Sequence, residues 1–172
     1  TTGSSVSVTA KAATVTGTAT NVTYNGSSQT QSAASSTGFI AGDAISITGL
    51  ASGKNAATYA SNLSVGGTDA SNYSVTVNNA DLVIAKAALT VTASQVSKTY
   101  DGGLGASGTG TVGALAGAAA GDLVNSAGTQ VFLDKNAGTG KTVRASGVTI
   151  KDASNADMSG NYNITYVDNT TS

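Results

Sequence analysis

Side chains that could carry out catalysis are scarce in this sequence. It contains no Cys and no His, and its nine acidic residues are all Asp. The thiol nucleophile, the imidazole base and the paired Glu acids of many enzymes are therefore missing. Ser and Thr remain, with Lys and Asp as partners, but they occur along the whole chain and mark no position. We expect no catalytic residue and no enzymatic activity.

One glycine-rich segment has a residue pattern that could hold phosphate. Residues 138–142 read Gly-Thr-Gly-Lys-Thr, like the end of a phosphate-binding loop. That loop needs a Gly where this chain has Lys135, and a helix directly after it. Strand-like sequence surrounds the segment instead, so a glycine-rich turn is predicted and no cofactor is expected.

A second candidate is a group of oxygen ligands near the end of the chain. Asp152, Asn155 and Asp157 stand at a spacing that could suit Ca²⁺. The segment lacks the Gly at position six and the Glu at position twelve of an EF-hand calcium loop. An Asx-type turn explains the same residues and is the preferred interpretation. No other metal site is predicted.

Lys-Asn steps occur twice, at Lys54-Asn55 and at Lys135-Asn136. Some pilus-like domains join Lys to Asn through an intramolecular amide beside a buried acid, and Asp could supply that acid here. Spacing alone does not indicate such a bond, and a plain turn accounts for both steps. The turn is the preferred interpretation.

Charge and hydropathy limit the classes of partner that the sequence favours. The net charge is −1 at pH 7 and 10% of the residues are charged, against about 25% in an average domain. A near-neutral chain favours neither nucleic acid nor an anionic membrane. No apolar run reaches the roughly 18 residues of a membrane-spanning helix, and no signal peptide is visible. If the protein is exported, we expect that signal elsewhere in its parent.

The elements that must position these residues are predicted to be short strands. Apolar and polar residues alternate with the period of a half-buried strand in residues 6–8, 45–47, 63–65, 73–77, 89–91 and 148–150. Residues 38–43 and 113–120 could each form a short helical turn, although Gly interrupts both. The expected fold class is therefore mostly β, with two small β-rich domains and one short helix in each.

The chain also repeats itself. Short matches recur in the same order, from Ala-Lys-Ala-Ala at residues 10–13 and 85–88 to Asn-Tyr at 72–73 and 161–162. The offset grows from 75 to 89 residues, as expected for one ancestral unit that gained loop insertions in its second copy. We predict a first copy at 10–85, a second at 86–172 and the remnant of an upstream copy at 1–9. The chain is thus expected to be an excerpt from a longer array.

The predicted boundary has no flexible linker. In residues 81–92 one strand is expected to run straight into the next, which opens the second copy. A short extended join predicts two domains arranged end to end in a stiff, elongated pair.

Four tyrosines recur in the two copies. Two lie in matching turn motifs, Tyr24-Asn25-Gly26 and Tyr100-Asp101-Gly102, where Asn, Asp and Gly tolerate a positive φ. The other two, Tyr73 and Tyr162, open a late strand. All four are predicted to be core anchors that bury the ring and leave the hydroxyl in water.

The second copy resembles the YDG repeat of large bacterial adhesins. The resemblance rests on Lys-Thr-Tyr-Asp-Gly at 98–102, Asp-Lys-Asn-Ala-Gly-Thr-Gly-Lys at 134–141 and Gly-Asn-Tyr-Asn at 160–163. The first copy looks like the related MBG repeat, with Asn25 in place of the Asp. The resemblance implies a β-grasp-like fold, with an immunoglobulin-like sandwich as the alternative. It assigns no catalytic residues, and its motif residues are expected to be structural.

The resemblance also implies a location and a role. Such repeats occur in haemagglutinin-like, often two-partner-secreted surface proteins, so the expected location is extracellular, at the bacterial surface or secreted. The expected function is a stalk or spacer that supports cell adhesion or biofilm formation. Neighbouring repeats are the expected partners of a monomeric chain. The alternative is a module that binds a glycan or a host protein through the inserted loops at 113–121 and 151–160.

Overall fold

The computed structural model describes residues 3–172 of the chain, which form short strands and three-residue 3₁₀ turns. No helix in this range is long and apolar enough to cross a membrane. The mostly-β prediction is confirmed.

The chain divides into two compact units. The first contains the residues up to Val22 together with Ser28–Ile84, and the second contains Thr23–Ser27 together with Ala85–Ser172. The division after Ile84 lies one residue from the predicted boundary. The short segment Thr23–Ser27 belongs to the second unit, although it lies in the first sequence copy. Residues 1 and 2 of the predicted upstream remnant lie outside the described residues.

Within residues 3–172, ten strands begin before the division. They are β1 Lys11–Thr16, β2 Thr20–Thr23, β3 Gln29–Thr30, β4 Ser35–Thr37, β5 Ser46–Thr48, β6 Ser52–Gly53, β7 Ala57–Ala60, β8 Ser64–Gly66, β9 Tyr73–Asn78 and β10 Asp81–Ala85. They pair in the orders β4-β1-β9, β2-β10-β7, β3-β6 and β5-β8. Strands β1 and β9 are parallel, with Lys11 opposite Tyr73. Val15, Leu82 and Ile84 are almost fully buried, because alternate residues of a strand face the same side.

The second unit holds the remaining strands. They are β11 Ala87–Thr92, β12 Gly105–Ala106, β13 Thr111–Val112, β14 Leu123–Phe132, β15 Val143–Lys151 and β16 Tyr162–Val167. Their orders are β13-β11-β16 and β12-β14-β15. Strands β11 and β16 are parallel, with Ala87 opposite Tyr162. Val91, Val143 and Ile150 are buried in this core.

Most of the predicted strands are present, but one prediction is wrong. Residues 6–8 lie in no strand, and Val6 and Val8 are 93% and 97% exposed. No strand of the described range pairs with this segment. Neither of its faces is therefore covered, and its alternating pattern gains no burial.

The predicted helical turn at residues 38–43 is also wrong. Gly38 and Gly42 have φ values of +90° and +99°, which a right-handed helix does not accommodate. Residues 113–120 form only the 3₁₀ turn Ala118–Ala120. Two further 3₁₀ turns, Ala70–Asn72 and Ser159–Asn161, directly precede β9 and β16. The described residues contain no longer helix for a β-grasp sheet to enclose, and the topology beyond mostly β stays a prediction.

At residues 81–92 one strand runs straight into the next, as predicted. Strand β10 ends at Ala85, β11 begins at Ala87, and Lys86 alone separates them. They pair in different sheets. The sequence predicts the succession of the two strands, but it carries no signal for the change of sheet between them.

Candidate functional site

A buried carboxylate in the second unit binds two tyrosines. Oδ2 of Asp122 accepts a hydrogen bond from the Tyr24 hydroxyl at 2.8 Å and another from the Tyr162 hydroxyl at 2.7 Å. The two tyrosine rings meet edge-on, with centroids 5.5 Å apart. The backbone N–H of Gly117 donates to the Tyr162 hydroxyl at 3.0 Å. Buried polar groups in proteins nearly always have hydrogen-bond partners of this kind.

Burial sets the electrostatics of this cluster. Tyr24, Asp122 and Tyr162 are 1%, 2% and 4% exposed. Burial first, and then the hydrogen bond to Asp122, raises the pKa of the Tyr162 hydroxyl to about 12 and also raises the pKa of Tyr24. Both hydroxyls therefore keep their protons and act as donors at neutral pH. Oδ1 of Asp122 has no hydrogen-bond partner among the described residues.

Tyr24 reaches this cluster from a tight loop. The Ser27 N–H donates to Asn25 Oδ1 at 2.9 Å, and Gly26 has a φ of +79°. A Cβ at Gly26 would lie 2.8 Å from the Cα of Gly117, so only glycine allows this approach. The Tyr24 N–H donates to the Ala85 carbonyl at 2.9 Å. The loop is thus packed into the second unit through its backbone as well as its ring.

The second turn motif has the same loop geometry and a different environment. The Gly103 N–H donates to Asp101 Oδ1 at 2.8 Å, and Gly102 also has a φ of +79°. Tyr100, however, is 60% exposed, at the edge of a cavity of about 360 Å³. The turn prediction is confirmed for both motifs, but the prediction that Tyr100 is a core anchor is wrong.

The first unit contains a matching pair. Tyr73 donates to Asp43 Oδ2 at 2.5 Å and accepts from the Ile40 N–H at 2.9 Å. The hydrogen bond to Asp43, followed by burial, raises the pKa of the Tyr73 hydroxyl. Buried tyrosines at 73 and 162 confirm the core-anchor prediction for their rings. Their hydroxyls bind carboxylates, so the prediction that they remain in water is wrong.

An open groove lies beside this pair in the first unit. It has a volume of about 500 Å³, and Asp43, Asn72, Tyr73 and the exposed Ile40 line it together with residues 8–11. Asn161 and Asp122, which hold the positions of Asn72 and Asp43 in the second unit, are 5% and 2% exposed. Asn72 is exposed and Asp43 only half-buried.

The three candidate calcium ligands each accept hydrogen bonds from neighbouring residues. Asp152 Oδ1 accepts from the Ser154 and Ala156 N–H groups. Asn155 has a φ of +65° and accepts from the Lys151 ammonium, and Asp157 accepts from the Ser159 N–H. In residues 3–172 no three His, Cys, Asp or Glu side chains come close enough to hold a metal ion. The arrangement favours the Asx-turn interpretation.

Both Lys-Asn steps also lie in turns. Residues 54–56 bend between β6 and β7, and the exposed Lys135 and Asn136 lie in the loop between β14 and β15. The Asn136 N–H donates to Asp134 at 2.9 Å, and Lys141 pairs with the same carboxylate. Residues 138–142 continue this loop into β15 without a helix, as predicted.

The sequence interpretation missed the two residues at the centre of the clusters, Asp43 and Asp122. Each follows a glycine with a φ near +100°, Gly42 or Gly121. The Gly-Asp step is one of the matches that the copies share, so the signal was present as a repeated acid.

Comparison with known proteins gives one assignment. No curated protein and no solved structure matches the chain. A family model described as the YDG domain matches residues 85–171, which is half of the chain and nearly all of the second unit. The chain therefore belongs to the YDG domain family.

Proposed function

We propose that the chain is a pair of structural spacer repeats from a bacterial adhesin, exposed at the cell surface or secreted, where it supports adhesion or biofilm formation. The YDG assignment of residues 85–171 supports the proposal. Within it, residues 10–85 are an MBG-like repeat, and both modules are β-grasp-like domains arranged end to end.

The observation that carries the proposal is that the second unit includes a segment of the first sequence copy, Thr23–Ser27. The core of the second unit includes Tyr24, which is 1% exposed and lies 98 positions before its partner Asp122. Separating residues 23–27 from this unit would expose the tyrosine ring and leave a buried carboxylate with one donor fewer, and both changes cost free energy. A module completed by a segment from the preceding sequence copy suits a chain that must keep successive repeats in order.

The recurrence of one arrangement in both copies supports the same view. A Gly-Asp step, a tyrosine that donates to the aspartate, and a backbone N–H that donates to the tyrosine occur in each unit. In each unit these polar residues bond to one another and stabilise the fold, as expected of a structural module.

The alternative role, binding of a glycan or host protein, was assigned to two inserted loops. Neither residues 113–121 nor residues 151–160 contain an aromatic side chain. Gly117 of the first loop packs against Gly26 of the same chain, and the acids of the second loop hold its turns. These contacts favour the spacer.

Small-angle X-ray scattering of the chain, with calcium and with a chelator, tests the proposal. A compact domain of this length has a radius of gyration of about 16 Å. We expect a clearly larger radius, a pair-distance distribution with two maxima, and curves that superimpose with and without calcium. A radius near the compact value, or a flexible particle that stiffens only with calcium, would contradict the spacer.

A further inference from the structure

We propose that the groove beside Asp43 and Tyr73 is a docking site for a Tyr-x-Gly loop of another repeat, and that its occupant is the Tyr100–Gly102 loop of a second copy of this chain. The inference rests on the proposed spacer function and names the contact that couples successive repeats. It is carried by the Tyr24–Gly26 loop, which is packed into the second unit and is called the docked loop below.

Besides Met158, 3.7 Å from the Tyr24 hydroxyl, and Ala120 beside Gly26, five residues of the second unit contact the docked loop. Its tyrosine bonds to the Asp122 carboxylate, meets the Tyr162 ring and lies within hydrogen-bonding reach of the Asn161 amide. Its backbone bonds to the Ala85 carbonyl, and its glycine packs on Gly117.

Each of these five partners has a counterpart in the groove of the first unit. Tyr73 and Asn72 correspond to Tyr162 and Asn161, since both pairs join a 3₁₀ turn to the following strand. Asp43 corresponds to Asp122, because each carboxylate accepts a hydrogen bond from the tyrosine hydroxyl. Ile40 corresponds to Gly117, because the backbone N–H of each donates to that hydroxyl.

The fifth counterpart follows from strand register. Lys11 lies opposite Tyr73, and Ala87 lies opposite Tyr162. Two residues earlier, Thr9 therefore holds the position of Ala85. The groove is lined by all five counterparts: Thr9, Ile40, Asp43, Asn72 and Tyr73.

The loop proposed to fill the groove is already in the docked conformation. Gly102 has the same φ as Gly26, and both loops are closed by a side-chain oxygen that accepts the N–H two residues later. Tyr100 is 60% exposed, whereas Tyr24 is 1% exposed. A preformed loop loses little conformational entropy on docking.

Two differences between the copies fit this choice of occupant. The loop carries Asp101 where the docked loop carries Asn25, and the groove carries Lys11 where the filled site carries Ala87. Asp101 is already paired with Lys98 of its own loop at 2.8 Å, so these opposite charges add only a weak attraction. Phe39 already meets the Tyr73 ring edge-on, with centroids 4.9 Å apart, and it is not among the residues that line the groove.

The test is a titration between two versions of the full chain. The observed chain is ¹⁵N-labelled and carries Tyr100→Ala, so that it offers only the groove; the added chain is unlabelled wild type. We expect chemical-shift changes confined to residues 8–11, 40–43 and 71–73, saturating in the millimolar range. Linking repeats in one chain supplies effective concentrations of that order, so a weak contact between separate chains is sufficient.

Matched variants decide the outcome. An added chain with Tyr100→Ala should produce no shifts, whereas one with Leu104→Ala, also an exposed apolar residue of that region, should act like wild type. Asp43→Asn in the labelled chain should weaken the shifts at least about threefold. Equal shifts from wild-type and Tyr100→Ala donors, or no shifts at millimolar donor, would overturn the docking proposal. Neither result would change the scattering expected of a spacer, so the two proposals fail separately.

Discussion

The Tyr24 hydroxyl donates a hydrogen bond to Oδ2 of Asp122 at 2.8 Å, although the two residues stand 98 positions apart. The same oxygen accepts the Tyr162 hydroxyl at 2.7 Å. A carboxylate at 2% exposure is stable only with such donors. The contact therefore makes a segment of the first sequence copy a structural part of the second unit.

Substitution of Tyr24 should destabilise the second unit. Tyr24→Ala removes a buried ring, at a cost of about 3–5 kcal/mol. Tyr24→Phe keeps the ring but removes one donor to Asp122, at a cost of about 1–3 kcal/mol. Urea denaturation followed by NMR signals of residues 87–167 measures both. Tyr100→Ala, at the matching position with 60% exposure, should change stability by less than about 0.5 kcal/mol. Equal costs at 24 and 100 would contradict the cluster.

Alkaline pH should weaken the same unit. The pKa of Tyr162 rises from 10.0 to about 12 in the folded state because of burial and the Asp122 hydrogen bond. Below pH 10 the hydroxyl is protonated in both the folded and unfolded states, so its contribution is fully present. Between pH 10 and 12 the unfolded state loses the proton first, and stability falls by roughly 2–3 kcal/mol. Denaturation midpoints across this range measure the slope. Tyr162→Phe should reduce the slope and leave the part due to Tyr24, whose pKa is also raised; an unchanged slope in that variant would assign the effect to other groups.

The strands were largely predictable because their alternation is local. Residues 45–47, 63–65 and 89–91 each place apolar side chains on one face, and each overlaps an observed strand. Residues 6–8 have the same pattern without a pairing strand. Alternation reports the capacity to form a strand, whereas pairing depends on distant residues.

Register was harder to predict than the repeat itself. The Ala-Lys-Ala-Ala match implies an offset of 75 residues, but strand pairing makes Lys11 equivalent to Ala87, an offset of 76. A shift of one residue exchanges the two faces of a strand, and at an offset of 76 the buried Val15 and Val91 coincide. The turn tyrosines at 24 and 100 have that same offset, so the motif was the better guide.

The tyrosine motif was found from the sequence, but the difference between its two copies was not. Tyr24 and Tyr100 stand in nearly identical local sequences and identical loops, yet one is buried and the other is exposed. Their environments differ through Asp122, which is distant in sequence from both. A repeated Gly-Asp step marked that residue, but an isolated acid in a repeat carries no local sign of its partner.

The glycines of the two loops offer a matched pair of substitutions. Both have a φ of +79°, so an alanine costs about 1–2 kcal/mol in either loop through backbone strain. A Cβ at Gly26 would also lie 2.8 Å from both Gly117 Cα and Ala120 Cβ, whereas at Gly102 the nearest atom is 4.0 Å away. Gly26→Ala should therefore cost a further 1–3 kcal/mol or so. Thermal unfolding of the two variants measures the difference, and identical melting temperatures would show that Gly26 is not tightly packed.

The loop at residues 152–157 should respond to hydrogen-bond loss and not to calcium. Asp152 Oδ1 accepts two backbone N–H groups, and an Asn side chain can accept the same bonds. Asp152→Asn should therefore be nearly neutral, while Asp152→Ala should lose about 1 kcal/mol. Unfolding curves of wild type and both variants, each with millimolar calcium and with a chelator, give the comparison. A calcium-dependent gain in wild type that Asp152→Asn abolishes would instead establish a metal site, because only the charged carboxylate distinguishes the two side chains.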